Sequence, residues 1–87
     1  REIEVVLRTH ASVLECAVIG VPDSRWGEAA KAFVVLRSDR DLAVPELIEY
    51  CGQRLAGFKR LREVEFVSDL PRNASGKILK STLRQQH

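Results

Sequence analysis

Apolar positions in this chain alternate between helical and strand spacing, and each change of spacing falls at turn-forming residues. Residues 2–10 place Ile3, Val6, Leu7 and His10 at i, i+3, i+4 and i+7, one face of a helix. Residues 15–21, Glu-Cys-Ala-Val-Ile-Gly-Val, form a short apolar run that stops at Pro22-Asp23, which predicts a strand and then a turn. After Trp26-Gly27, residues 28–36 end in Phe-Val-Val-Leu and predict a second strand; the polar stretch Arg37–Asp41 follows. The next segment is a helix with Pro45 in its first turn, Leu47, Ile48, Cys51 and Leu55 on one face, and Gly57 as its stop. Residues 63–67, Glu-Val-Glu-Phe-Val, alternate as a third strand. A loop containing Pro71, Asn73 and Gly76 leads to a closing helix over 79–86 with Leu79 and Leu83 facing inward. The predicted order is αββαβα: a small three-stranded sheet, made of a hairpin plus a third strand and covered by helices, an α+β fold.

Composition narrows the class without choosing a function. With 87 residues, 45% hydrophobic and 30% charged, the chain is one globular domain with no repeat and no low-complexity tract. A chain of this size buries roughly 60–65% of its unfolded surface, too little for a deep pocket closed on all sides. No apolar run approaches the length of a transmembrane segment and no signal peptide is recognisable, so the expectation is a soluble, cytoplasmic chain. Cys16 and Cys51 lie far apart without a CxxC or Cys/His partner, which argues for buried reduced thiols and no metal site. His10 and His87 have no acid or nucleophile beside them in sequence and receive no chemistry. Charge is uneven: residues 58–87 carry seven basic and three acidic side chains, a balance suited to an anionic ligand or to a solvated surface.

Three segments could carry chemistry. In Leu70-Pro71-Arg72-Asn73-Ala74-Ser75-Gly76-Lys77-Ile78-Leu79-Lys80, the run Ser-Gly-Lys invites comparison with a phosphate-binding loop. That motif requires glycine where Pro71 stands and Ser or Thr where Ile78 stands, so this is not a P-loop. What remains is Lys77 at a loop tip behind a flexible glycine, a mobile ammonium with three donors suited to carboxylate or phosphate oxygens; a solvated loop lysine would look the same. In Val21-Pro22-Asp23-Ser24-Arg25-Trp26-Gly27-Glu28, the only tryptophan sits in a turn between strands, able either to stack on an aromatic ligand or to cap the core. In Gly57-Phe58-Lys59-Arg60-Leu61-Arg62, an aromatic stands beside three cations, which suits a base plus phosphates or a hydrophobic anchor for a basic connector.

In this order and spacing, the three segments resemble the C-terminal domain of the adenylate-forming superfamily: acyl-CoA synthetases, peptide-synthetase adenylation domains and luciferases. The opening Arg-Glu-Ile-Glu is similar to the family's start of this domain after its hinge, and Val-Pro-Asp-Ser-Arg-Trp-Gly-Glu to its strand-turn-strand signature. The stretch from Arg54-Leu55-Ala56-Gly57-Phe58-Lys59 to Pro71-Arg72-Asn73-Ala74-Ser75-Gly76-Lys77 resembles its final motif, and the likeness covers essentially the whole chain. The resemblance implies a reaction in two steps. A carboxylic acid and Mg-ATP give acyl-AMP and pyrophosphate, and the CoA thiol then displaces AMP. It implies that residues 1–87 are one C-terminal lid working with an N-terminal adenylation domain of the same chain, which binds ATP, Mg²⁺ and the acid. Lys77 is then the adenylation lysine, with Ser75 and Gly76 supporting it, while Trp26, Phe58 and Arg60 stand where CoA-ligating members place aromatic and basic side chains.

The Ser-Gly-Lys loop of many bacterial members is acted on by protein acetyltransferases, so the resemblance also implies an acetyltransferase and deacetylase acting on Lys77. Lys80, one turn into the closing helix, is expected to be a residue whose loss costs little. Leu61 stands where relatives often have proline, which leaves the loop after Phe58-Lys59-Arg60 less rigid. Without a hinge or an ATP site, these residues alone are expected to be inactive. The wording of the motifs leans toward fatty-acyl or aryl-acid CoA ligases. Two other classes remain: a small basic nucleic-acid-binding module with Phe58 and Trp26 as stacking platforms, and a free-standing regulatory lid without catalysis.

Overall fold

The computed structural model describes residues 2–23, 27–38, 41–55 and 61–86. Within them the chain forms α1 (Glu2–Arg8), β1 (Val13–Asp23), β2 (Gly27–Leu36), α2 (Val44–Gly52), β3 (Leu61–Phe66) and α3 (Lys80–Gln86). The sheet order is β1-β2-β3, with β1 and β2 antiparallel and β2 and β3 parallel. A parallel pair cannot be closed by a tight turn, and α2 lies in the connection that the β2-to-β3 crossover requires. The α+β class, the order αββαβα and the hairpin plus third strand all follow the sequence pattern.

β2 is the middle strand, and its run Ala32–Val35 is buried without alternation because both faces of the sheet are covered. On one face, Cys16, Ala32 and Val34 pack with Ile3 and Leu7 of α1 and with Leu47 and Cys51 of α2. On the other, Ala17, Ile19, Phe33 and Val35 pack with Leu70 and with Leu83 of α3. β3 shows the clean period of two: Glu63 and Glu65 are exposed, while Val64 and Phe66 pack toward the α1/α2 side.

Element boundaries differ from the sequence expectation where pairing or propensity overrides pattern. β1 extends to Asp23 because Pro22 pairs with Glu28 and Asp23 with Gly27, and β1 is an edge strand that tolerates proline. Gly27 has φ 82°, a left-handed backbone that glycine supplies without steric cost as the chain enters β2. α2 ends at Gly52, a weak helix former, rather than at Gly57, which lies outside the described residues. Leu55 still packs against the core, from the turn beyond the helix.

The outer edge of β1 is closed by a side chain rather than by another strand. Glu4 of α1 accepts the Val18 backbone N–H at 2.8 Å, on the edge that β2 does not occupy. The same Oε2 receives Lys80 Nζ of α3 at 2.7 Å, and Arg8 lies 3.8 Å from the other oxygen. Helices on opposite faces of the sheet are therefore joined around its edge through one carboxylate that is only 11% exposed. Lys80 is not the idle lysine that its sequence position suggested. Its ammonium offsets a largely buried charge, and removing it would leave Glu4 without its main counter-ion.

Burial by itself would raise the Glu4 pKa, but the Lys80 hydrogen bond, the Val18 N–H and the Lys80 charge together hold it below the ordinary 4.5. A carboxyl whose folded pKa is depressed adds stability above its unfolded pKa and loses it as pH falls through the folded value. Glu4→Gln should therefore lower Tm at pH 7, by about 4–8 °C if the lost charge is worth about 1 kcal/mol. The gap from the parent protein should narrow as pH falls below 4.5 and through the lower folded value of Glu4. Thermal melts across pH check this, and a gap that stays constant with pH would show that the Glu4 charge does not contribute.

Candidate functional site

The segment after β3 leaves the sheet at Val67, whose N–H donates to Val34 O at 2.9 Å, and turns back over the second face at buried Leu70. From there residues 71–73 and 77–79 lie antiparallel as the arms of a very short hairpin. Arg72 bridges Ile78, Leu79 N–H donates to Pro71 O at 2.8 Å, and Asn73 N–H donates to Lys77 O at 2.9 Å. Gly76 makes the return with φ 90°, and its N–H donates to Asn73 O at 3.0 Å. Any side chain at position 76 would be strained by that backbone, whatever space surrounds it.

The loop is fixed from inside by one side chain. Asn73 Oδ1 accepts Ser75 N–H at 3.0 Å, Ser75 Oγ–H at 2.8 Å and Lys77 N–H at 2.9 Å. It is fixed from outside by Arg72, which pairs with Glu15 of β1, with Asp69 at 3.0 Å and with Leu70 O at 3.2 Å. Ile78 packs on the second core cluster and Lys80 reaches Glu4.

Ser75, Gly76 and Lys77 thus stand together at an exposed tip, and the mobile part is the ammonium that the sequence suggested. Both backbone polar groups of Lys77 bond to Asn73, so the flexible part is the lysine side chain itself. Among the described residues, no ion pair or side-chain hydrogen bond engages the Lys77 ammonium. It stands exposed at the tip of the loop.

Asn73, Arg72, Glu15, Glu4 and Lys80 were not assigned roles from sequence. Asn73 carried a legible signal, since Asn two residues before Ser, in a stretch bounded by Pro and Gly, favours a side-chain-closed turn. The Glu15–Arg72 and Glu4–Lys80 pairs join residues far apart in the chain, and nothing local announces them.

Trp26, Phe58 and Arg60 lie outside the described residues. Part of the C-terminal basic surplus is spent internally, because Arg72 and Lys80 are both paired with carboxylates. That weakens the case for a continuous cationic surface tracking a nucleic-acid backbone. The thiols are inert by burial: that of Cys16 is pushed up to about 11 and that of Cys51 is raised.

Known proteins align with this chain across nearly its whole length. It is 46% identical over 86 residues to the long-chain-fatty-acid–CoA ligase FadD13 of Mycobacterium tuberculosis (strain ATCC 25618 / H37Rv), covering 99% of this chain and 17% of that protein. It is 46% identical over 85 residues to a feruloyl-CoA synthase of Amycolatopsis sp, covering 98% of this chain and 17% of that one. The crystal structure of ATP-bound MatB from Rhodopseudomonas palustris superposes with a TM-score of 0.92 at 38% identity, over 98% of this chain and 17% of that chain. The chain therefore spans about 17% of the length of these relatives. The profile of the AMP-binding enzyme C-terminal domain matches residues 2–77, so with this fold and these relatives the chain belongs to that family.

Proposed function

We propose that residues 1–87 are the C-terminal lid of an AMP-forming acid–CoA ligase, with Lys77 supplying the cation for adenylation and a second surface facing CoA. The observation that carries this reading is the exposed, uncommitted Lys77 ammonium on a loop whose backbone is tied at both of that residue's polar groups. Two relatives are named for CoA ligation, one of a long-chain fatty acid and one as a feruloyl-CoA synthase, and a third of the same fold is ATP-bound; together they support the reaction class. They differ in the acid, which fits an acid pocket lying in the N-terminal adenylation domain of the same chain. ATP and Mg²⁺ belong to that domain too. Among the described residues no three His, Cys, Asp or Glu side chains are grouped to hold a metal, and none of this chain's residues is assigned to one.

In the first step a carboxylate oxygen attacks the α-phosphorus of ATP and pyrophosphate leaves. The Lys77 ammonium lies between the two anions, orients them for attack and offsets charge that grows on the phosphoryl oxygens. In the second step the CoA thiol attacks the acyl carbonyl and AMP leaves. Trp26 and Phe58 are proposed to stack on the CoA adenine and Arg60 to pair with its phosphates, a reading that rests on sequence and resemblance. No described helix is long and apolar enough to cross a membrane, and the proposed setting is the cytoplasm.

Three measurements on the full-length ligase test the assignment. Lys77→Ala should slow acid-dependent ATP–pyrophosphate exchange by about 10²–10³. It should largely spare thioester formation from supplied acyl-adenylate and CoA. Lys77→Arg should restore little, because a broad planar guanidinium does not replace a compact ammonium between two oxygens. If both half-reactions fall together, Lys77 holds the loop or the fold instead.

Trp26→Ala should raise the KM for CoA by about 5–150-fold, the equivalent of one lost stacking contact, with adenylation nearly unchanged. An equal fall in adenylation would make Trp26 a packing residue.

Acetylation would remove the charge that adenylation needs, and Lys77 is exposed whereas Lys80 is engaged by Glu4. Incubation with a protein acetyltransferase and acetyl-CoA should label Lys77 ahead of Lys80, and a deacetylase should reverse it. Peptide mass spectrometry reads the order, and label on Lys80 without Lys77 would count against regulation at this site.

A further inference from the structure

We infer that Asn73 is a positioning residue for Lys77, aiming the lysine by holding its backbone rather than by touching substrate. This rests on the assignment of Lys77 proposed above and adds the residue that makes it effective. Asn73 is exposed, makes no contribution to either core cluster, and has its amide oxygen turned into the loop rather than toward solvent. Three donors converge on that one oxygen: the N–H and hydroxyl of Ser75 and the N–H of Lys77. The Asn73 backbone N–H meanwhile donates to Lys77 O at 2.9 Å and its carbonyl accepts Gly76 N–H at 3.0 Å. Asn73 therefore contacts all three of the last residues of the turn, and Lys77 twice.

The consequence is geometric. Position 77 follows a glycine at φ 90°, where the backbone has unusual freedom. An untethered turn there would point the lysine side chain in many directions, and only a fraction of them would serve a transfer between two bound anions. With the Lys77 N–H and C=O both bonded to Asn73, the direction of its Cα–Cβ bond is set by the hairpin arms. Those arms are set in turn by Leu70 in the core and Arg72 on Glu15. Only the four-carbon chain of the lysine remains to be ordered when the lid closes. Ser75, by contrast, bonds among the described residues to Asn73 alone, so its support of the loop operates through that residue.

The test uses the full-length ligase with Asn73→Ala, Asn73→Asp, Lys77→Ala and the Asn73→Ala/Lys77→Ala pair. Asn73→Ala should lower kcat for adenylation by about 10–100-fold, the scale of a lost near-attack geometry. The KM values for ATP and acid should hold within about threefold, thioester formation from supplied acyl-adenylate should be near normal, and Tm should be unchanged. Asn73→Asp keeps an acceptor oxygen at the same place and should recover most of the loss. The pair should be no slower than Lys77→Ala alone, since aiming an absent ammonium has no value. Tryptic cleavage after Lys77 should quicken in Asn73→Ala and return to normal in Asn73→Asp, reporting loop order independently of activity. If Asn73→Ala adenylates normally while Lys77→Ala does not, the inference is overturned and the Lys77 assignment stands. If Lys77→Ala adenylates normally, both are overturned. If Asn73→Ala lowers Tm and slows both half-reactions alike, Asn73 is structural and the inference is overturned.

Discussion

A three-stranded sheet with apolar side chains on both faces, and a middle strand buried throughout its centre, has to be covered twice by a chain of only 87 residues. The α1/α2 side is covered by local arithmetic, since each of those helices adjoins a strand in sequence. The other side is left to the last stretch of the chain, which must cross from β3 over the sheet and lay Leu70, Ile78 and Leu83 against Phe33 and Val35. Leu70 and Ile78 flank the short turn of Asn73 to Lys77, so closing the second core cluster is what fixes both ends of that turn. Burial of Leu70 and Leu83, each worth roughly 1.5–3 kcal/mol, with a smaller share from half-buried Ile78, is the term that holds the turn to the domain.

Polar contacts then refine what burial has placed. Arg72 on Glu15 fixes the first arm, and Lys80 on Glu4 fixes the helix that follows the second. The two pairs differ in character. Glu15 and Arg72 are each about 30% exposed, a setting in which an ion pair adds modest stability and mainly direction. Glu4 is nearly buried, accepts a strand-edge N–H as well as an ammonium, and carries the cost of a desolvated charge if either partner is lost. It also blunts the open edge of β1, which would otherwise present free backbone groups to other chains. Lys77 is the lysine of this segment that remains uncommitted, and the contrast with Lys80 three residues later comes from tertiary pairing rather than from composition.

Hydrophobic spacing determined much of this protein without help from the tertiary structure. The apolar runs of residues 15–21 and 28–36, the alternation at 63–67 and the helical faces of Leu7, Leu47 and Leu83 specify the elements and their order, because period and burial are local consequences of backbone geometry. The ordered motifs around Trp26, Phe58 and Lys77 marked the family, and Ser75-Gly76-Lys77 marked the loop. Only the fold decided which cations are free. Lys77 and Lys80 are equivalent on paper, but one ends in solvent and the other on a carboxylate contributed from the opposite end of the chain. Only the fold turned the Asn73 amide into the centre of the turn, because a short-range pattern shows that Asn can close a loop but not which donors will meet its oxygen. Local periodicity is written residue by residue, whereas ion pairs between Glu4 and Lys80, or Glu15 and Arg72, exist only once burial has brought distant segments together.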